Sequence, residues 1–144
     1  MSLLFSRQCE YALQGILYLA LKQNGEMTSV ARLSRILKVP APYLGKILQD
    51  LARRGILRSN QGPAGGFALA VSADKINLAQ IIEAIDGKDS LQGCMLGFPN
   101  CSNDEPCAAH AQWSRSRKSI LALLQHKTLD ELARASRKTH LGDL

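Results

Sequence analysis

Three of the four cysteines in this sequence stand close together, and a histidine follows the last of them. Cys94, Cys101 and Cys107 fall within 14 residues, with gaps of six and five residues, and His110 comes three positions after Cys107. Thiolates gathered in this way bind zinc or iron–sulfur clusters. Zinc sites usually contain cysteines two to four residues apart, which this segment lacks, whereas wider gaps suit the larger core of a cluster. The residues alone leave three possibilities open: an iron–sulfur cluster, a zinc ion or free thiols.

The helix predicted to follow this segment bears on its chemistry. A long helix is expected from about Pro106 to Leu124 or Gln125. Cys107 and His110 would then lie on one face of its first turn, where the helix N-terminus favours a thiolate. Cys9 differs, because it lies alone in the first predicted helix, where a cysteine is usually buried as a small apolar residue.

The first half of the chain contains a helix-turn-helix pattern. Helices are predicted over residues 7–23, over 29–38 and from Pro42 to Arg54, the last one ended by Gly55. The third helix has a complete apolar stripe, formed by Leu44, Ile47, Leu48 and Leu51. The positions left outside this stripe include Gly45, Lys46, Gln49, Arg53 and Arg54. Two short helices joined by a tight turn, the second basic on its outer face, are typical of DNA readers.

A predicted β-hairpin follows the third helix directly. Residues 56–60 form one strand candidate, and Phe67, Leu69 and Val71 alternate in the second. The tip between them, residues 61–66, contains three glycines and a proline. A hairpin placed after a recognition helix is a wing, and its glycines allow the backbone to approach a phosphate closely.

The second half adds helices around the cysteine segment. A short helix capped by Asn77 is expected to end at Gly87, residues 88–106 form a polar loop, and Thr128 with Glu131 forms a capping box for a last helix. The long helix has more apolar surface than a small core needs, which predicts a dimer seam through Ile120, Leu121 and Leu124.

The predicted fold is therefore mainly α with a small β-hairpin: a winged helix-turn-helix with a long dimerisation helix. We expect residues 1–75 to form the DNA-binding region. Residues 76–144 would form the region of the cysteine loop and the dimerisation helix, and the two regions would make one continuous domain.

Charge and composition agree with a DNA-binding first half. Residues 1–71 hold nine Lys/Arg and three Asp/Glu, whereas residues 72–144 hold nine of each, and the whole chain has a net charge of +6. Such asymmetry indicates that the first half of the chain binds a polyanion.

The apolar segment at the N-terminus is interrupted by Arg7 and Glu10, and no apolar run long enough to span a membrane follows. We therefore expect no signal peptide and no membrane span, which implies a cytoplasmic, reducing location.

The sequence resembles the winged-helix iron–sulfur regulators, a family that includes IscR, NsrR and CymR. The likeness covers nearly the whole chain and rests on PAPYLGKILQDLARRGILRSNQGPAGGFALA for the reading head and wing, and on GCMLGFPNCSNDEPCAAHAQW before the long helix. The resemblance implies homodimers that bind pseudo-palindromic, double-stranded promoter DNA. It implies an iron–sulfur cluster, 2Fe–2S with 4Fe–4S as the alternative, held by Cys94, Cys101 and Cys107. The fourth ligand is expected to be His110, with Glu10 of the partner subunit as the alternative.

The DNA contacts are predicted on the third helix and the wing. The positions expected to approach base edges are Pro42, Gly45, Lys46 and Gln49. Those expected to hold phosphate are Arg53, Arg54 and Arg58, with Gln61, Gly62 and Gly65 in the wing. Three departures from the family pattern concern the target site and the cluster: Gln61 replaces a frequent arginine, Gly45 replaces an acidic residue, and the first cysteine gap is one residue longer than usual.

Two other functions compete with a cluster-gated regulator. The first is a cofactor-free winged-helix regulator controlled by a partner protein, but the CymR-like members of this kind lack the cysteine set. The second is a zinc-binding thiol protein. An enzyme is not expected, because the chain has no CxxC, no HExxH and no phosphate-binding loop.

Overall fold

The computed structural model describes residues 4–22 and 25–136. Within them the protein is mainly α-helical with one antiparallel hairpin, as the sequence predicts. The elements, in chain order, are α1 (Arg7–Ala20), α2 (Val30–Leu37), α3 (Ala41–Arg53), β1 (Leu57–Asn60), β2 (Gly66–Leu69), a 3-10 turn (Ala73–Lys75), α4 (Leu78–Asp86), α5 (His110–His126) and α6 (Leu129–Ser136). No helix in this part of the chain is long and apolar enough to cross a membrane.

Side-chain caps explain where several helices begin. The Ser6 hydroxyl accepts a hydrogen bond from the Cys9 N–H at 3.0 Å and starts α1. Ser29 accepts from Arg32 at 3.1 Å at the start of α2. Asn77 forms a reciprocal capping box with Gln80 at the start of α4, which satisfies two backbone N–H groups at once.

The main core lies between α1, α2, α3 and the hairpin. The whole predicted stripe of α3 is buried there with no exposed surface: Leu44, Ile47, Leu48 and Leu51. The helix begins at Ala41, so that Pro42 takes its second position rather than the first. The opposite face of α3 is left to solvent, which is the arrangement that a recognition helix requires.

The hairpin is tied to the segment before α2. Its register pairs Leu57 with Leu69 and Asn60 with Gly66. Thr28 adds backbone hydrogen bonds to Phe67 in both directions, at 3.0 and 2.8 Å. Gly66 has a φ of +144°, and a Cβ there would lie 2.3 Å from the Thr28 carbonyl oxygen. A glycine is therefore required where the wing meets the helical core.

A second, smaller core lies between α1, α4 and α5. Its buried members are Cys9, Ile82, Leu91 and Leu124. The prediction that Leu124 lies at a dimer seam was wrong, because this side chain is only 4% exposed within its own chain. Ile120 and Leu121 also pack against this core, whereas Leu123 is 54% exposed.

The long helix begins four residues later than predicted. α5 starts at His110, and Pro106 and Cys107 precede it. The His110 N–H bonds to the Cys107 carbonyl oxygen at 3.1 Å, which closes a tight turn before the helix. Cys107 therefore does not lie in the first helical turn. The Cys107 N–H donates to the Cys101 sulfur at 3.5 Å, so this N–H is bonded within the loop and not within the helix.

Candidate metal centre and nucleic-acid interface

The three loop cysteines converge in the folded chain. The sulfur atoms of Cys94, Cys101 and Cys107 all lie within 4.8 Å of one another, and the Cys94 and Cys107 sulfurs are 3.6 Å apart. All three side chains are partly buried. They line a pocket of about 250 Å³ together with His110, Asn103 and residues of α5. Three soft donors at this separation form a candidate metal site.

Two turns of the loop bring these thiols together. The first reverses the chain after Cys94, where the Gly97 N–H donates to the Cys94 carbonyl at 3.1 Å and Gly97 has a φ of +83°. The second links Ser102 and Glu105, whose backbone groups are joined at 3.3 Å while the Ser102 hydroxyl accepts from the Glu105 N–H at 3.1 Å. Cys101 and Cys107 flank this second turn, which explains their proximity.

His110 lies beside the thiols, but its imidazole contacts Cys101 rather than Cys107, the residue with which the spacing had paired it. Its Nδ1 is 3.3 Å from the Cys101 sulfur, and its Nε2 is 2.9 Å from the Asn103 side-chain oxygen. Sequence reasoning did not identify Asn103, because an asparagine in a polar loop carries no motif signal. Only the two turns described above place it against the imidazole.

The loop is also anchored to α5. The Trp113 indole N–H donates to the Gly93 carbonyl at 2.9 Å, and Arg117 donates to the Gln92 carbonyl at 3.0 Å. Both acceptors directly precede Cys94 in the chain. These two side chains hold the start of the cysteine segment against the long helix. No pattern in the sequence predicted this role.

The surroundings differentiate the thiols. Partial desolvation opposes ionisation of Cys94, but hydrogen bonds from the backbone of Phe98 and Leu96 and from neighbouring thiols lower its pKa to about 7. A backbone hydrogen bond from Cys107 acts to lower the pKa of Cys101, yet desolvation and the neighbouring thiols raise that pKa overall. The thiolate therefore forms more readily at Cys94 than at Cys101, and the thiolate is the form that binds metal.

Two further residues considered as ligands, Cys9 and Glu10, lie on α1 and apart from the three loop thiols. Cys9 is fully buried, which confirms its predicted place in the core. Burial raises its pKa to about 12, and the charges of Asp86 and Glu10 add to the effect. Glu10 lies in the first turn of α1. Among the described residues of a single chain, it is not part of the donor group around the three sulfurs.

Five of the predicted DNA contacts line one cleft. This cleft, of about 580 Å³, runs between α3 and the base of the wing. Its lining comprises Val30, Pro42, Gly45, Lys46, Gln49, Asp50, Arg53 and Phe67. Lys46 and Gln49 are exposed there, and Arg53 forms an ion pair with Asp50. The fold thus brings together the polar face of the recognition helix.

Two predicted arginine contacts are placed differently. Arg54 lines another groove, which it shares with Glu83 and Lys88 near the end of α4. The Arg58 guanidinium donates to the Gly25 carbonyl at 2.9 Å, which joins β1 to the segment between α1 and α2. Arg58 thus has one donor engaged within the chain, and its side chain remains exposed.

The wing tip exposes Gln61 and Gly62, and Gly62 has a φ of +100° with open space around it. Gly65 is constrained by the hairpin itself, because a Cβ there would lie 2.2 Å from the Asn60 carbonyl oxygen. Gly65, one of the glycines predicted to approach phosphate, thus helps to close the turn, where its N–H donates to the Gly62 carbonyl at 3.0 Å.

A helix-turn-helix with a basic outer face, followed by a wing, defines a winged-helix transcriptional regulator. The chain belongs to the Rrf2 family: the family model, described as an iron-dependent transcriptional regulator, matches residues 5–135. The members of this family bind DNA and commonly dimerise. The resemblance inferred from the sequence is thereby confirmed.

Individual relatives agree with this assignment. A protein of Aquifex aeolicus named as an HTH-type transcriptional regulator is 33% identical over 138 residues, covering 94% of this chain and 95% of the relative. IscR of Pectobacterium carotovorum is 30% identical over 122 residues, covering 85% of this chain and 74% of IscR. These relatives are transcriptional regulators, which confirms the expectation that the protein is not an enzyme.

Solved structures show the same fold. CymR, the global cysteine regulator of B. subtilis, superposes with a TM-score of 0.77 at 25% identity, covering 93% of this chain and 98% of CymR. IscR of T. potens gives a TM-score of 0.72 at 22% identity, covering 96% of this chain and 91% of IscR.

Proposed function

We propose that this Rrf2-family regulator acts in the cytoplasm as a homodimer on pseudo-palindromic promoter DNA, and that an iron–sulfur cluster in each subunit gates its binding. The observation that carries the proposal is the convergence of three thiols of the loop between α4 and α5 with the imidazole at the start of α5. Similarity to IscR supports the cluster only by kinship, whereas the donor set is a property of this chain.

The chemistry of the donor set fits an iron–sulfur cluster. Iron–sulfur clusters are held by thiolates, and imidazoles replace thiolates in some of them. The ligands in this proposal are Cys94, Cys101, Cys107 and His110. The lowered pKa of Cys94 favours its thiolate, and the partly buried pocket limits solvent access to the donors.

The donors share one site: the Cys94 and Cys107 sulfurs are 3.6 Å apart, and the Cys101 sulfur is 3.3 Å from His110 Nδ1. These separations do not distinguish one kind of cluster from another. We prefer a 2Fe–2S core to a 4Fe–4S core because of the resemblance to the IscR-like members of the family.

A single zinc ion is the second candidate, and one observation favours it. All three sulfurs lie within 4.8 Å of one another, close enough for one tetrahedral ion to take all of them with His110. Zinc would make the site structural rather than redox-sensitive, so elemental analysis separates the two candidates.

When bound, an iron–sulfur cluster supplies a redox-active and labile centre. A series of contacts within the chain connects this loop to the recognition helix α3 and the wing. The loop leaves the end of α4, where Asp86 accepts hydrogen bonds from the Ser6 backbone and hydroxyl at the start of α1. Helix α1 packs on α3 and on the wing strand β2. Displacement of the loop would therefore bias the orientation of the recognition helix.

The DNA interface in this proposal is the cleft of α3 with the wing. Lys46, Gln49, Pro42 and Gly45 approach base edges, and Arg53 holds phosphate, together with Gln61, Gly62 and Gly65 of the wing. Arg58 contributes its remaining donors. Arg54, which lies towards α4, is assigned to phosphate at the edge of the interface.

Metal analysis and DNA binding test the proposal together. Protein purified without oxygen should contain iron and inorganic sulfide, about two of each per chain for 2Fe–2S, and should be coloured. Cys101→Ala should remove the chromophore, whereas Cys9→Ala, the matched control in the core, should retain it. Zinc alone, or no metal, would contradict the cluster.

The gating is measured on duplexes selected by the protein from a random-sequence library. Loaded and metal-free protein should differ in affinity for the selected duplex by about 5- to 150-fold at one salt concentration, the usual range of allosteric coupling. Equal affinities of the two forms would contradict gating while leaving the metal site in place.

A further inference from the structure

The His110 imidazole is engaged at both of its nitrogens. Nδ1 faces the Cys101 sulfur at 3.3 Å, and Nε2 faces the Asn103 side-chain oxygen at 2.9 Å. The ring is partly buried, and both partners come from the loop that precedes α5. One side of the imidazole therefore points to the thiols and the other side to an amide.

This arrangement selects one form of the neutral ring. A neutral imidazole carries its proton on one nitrogen, and the other nitrogen has a free lone pair. The amide oxygen of asparagine can only accept a hydrogen bond, so the nitrogen facing it must be the donor. With the proton on Nε2, the lone pair of Nδ1 is directed to the side of the thiols.

Asn103 is itself held in place by its surroundings. It lies within the turn between Ser102 and Glu105, which is closed by two hydrogen bonds of 3.3 and 3.1 Å. The oxygen that contacts His110 is thus presented by a segment whose backbone is already fixed. The contact between Asn103 and His110 therefore does not need a flexible loop segment to become ordered first.

We propose that Asn103 is a positioning residue that fixes His110 in the Nε2–H form, so that Nδ1 is the atom offered to metal. The proposal rests on the metal site proposed above, in which His110 is the fourth ligand. Histidines that bind metals commonly donate their other N–H to an oxygen, which sets the ring orientation and raises the basicity of the ligand atom.

The tautomer is tested in metal-free protein. Nitrogen-15 spectra of the histidine rings, recorded where the imidazole is neutral and assigned with His110→Gln, distinguish protonated from unprotonated ring nitrogens. Nε2 of His110 should be the protonated nitrogen. Asn103→Asp, which keeps an acceptor oxygen, should preserve this form, and Asn103→Leu should give a mixture. A proton on Nδ1 in the unmodified protein, or no change in Asn103→Leu, would overturn the proposal.

Metal release gives a second readout. Removal of such a partner usually costs about 10- to 100-fold in metal affinity. Loaded Asn103→Leu protein should therefore lose metal to a chelator faster, by up to about 100-fold if the whole loss of affinity appears in the release rate. Asn103→Asp should stay near the unmodified rate. Asn100→Leu is the matched control, because Asn100 is an exposed asparagine of the same loop. Equal rates for the two leucine variants would overturn the positioning role. If the protein binds no metal, the proposed function fails, and the tautomer measurement still decides what Asn103 does.

Discussion

The four cysteines of this chain lie in two chemically different environments. Three of them converge at the edge of a partly open pocket, and the pKa of Cys94 is lowered there to about 7. Cys9 is fully buried against α4 and α5, and its pKa is raised to about 12. Since the thiolate is both the nucleophile and the metal ligand, this contrast separates reactive cysteines from a structural one.

The first prediction concerns the reactivity of Cys9. A pKa of about 12 instead of 9.0 lowers the thiolate population at pH 8 about a thousandfold, and burial excludes the reagent. In folded, metal-free protein, iodoacetamide should therefore modify Cys94 and leave Cys9 unmodified, as measured by peptide mass spectrometry. All four cysteines should react in denaturant. Equal rates at Cys9 and Cys94 in the folded protein would show that this core is open.

The second prediction concerns the fourth ligand. Removal of the imidazole in His110→Ala should keep some colour but shift the absorption spectrum and speed cluster loss, because three thiolates remain. Glu10→Ala should leave the spectrum unchanged, since Glu10 lies outside the donor group of its own chain. If Glu10→Ala bleaches the protein while His110→Ala does not, the fourth ligand comes from the partner subunit's α1.

At the scale of elements, patterns that depend on near neighbours were predictable from sequence. The apolar stripe of α3 and the hairpin follow from local periodicity, and both are present. The start of α5 was not predictable, because contacts of Cys101 with Cys107 and His110 keep the preceding residues out of the helix. Asn103 could not be found either, since its role depends on how two turns fold around the thiols.

The inward face of α5 shows a second limit of sequence reasoning. Helical spacing places Leu124 on one face with Ile120 and Leu121, but it does not tell whether that face meets α4 or a second chain. Only the packing against Ile82 and Leu91 makes Leu124 the buried one. The candidate metal ligands were easier to find, because thiols gathered in a short segment carry a chemical signal of their own.

The third prediction concerns the recognition helix. Arg53→Ala should weaken binding to all DNA sequences and reduce the slope of log affinity against log salt by about one, as loss of one phosphate contact does. Arg134→Ala on α6 is a closely matched control. Both arginines pair with an aspartate on their own helix, and their side chains are 71% and 69% exposed. Equal salt slopes for the two variants would show that Arg53 does not contact a DNA phosphate.

At the scale of the whole molecule, most of the surface of α5 is left uncovered by its own chain. This helix has 17 residues, of which only Leu124 is buried, and Leu123 is 54% exposed. Small or polar side chains surround Leu123 on the exposed side, including Ser116, Ser119 and Ala122. A second copy of α5 could approach this face closely.

The fourth prediction tests that dimer. Leu123→Glu should place a charge in the seam and yield monomers that bind DNA poorly, because a twofold reader needs both half-sites. Light scattering measures the mass. Ala135→Glu adds the same charge at an exposed position of α6 and should leave the dimer intact. A mass of one chain for the unmodified protein at concentrations where it binds DNA would contradict the proposed assembly.

The contact between Trp113 and Gly93 has an optical consequence. The sequence contains a single tryptophan, and that indole lines the cysteine pocket while its N–H is bonded to the loop. Tryptophan emission from this protein therefore originates at one known place, a few residues from the thiols. Absorbing species in the pocket would quench that emission by energy transfer, and exposure of the indole to water would shift it to longer wavelength. The molecule thus carries a built-in fluorophore through which occupancy of the site can be followed without labelling.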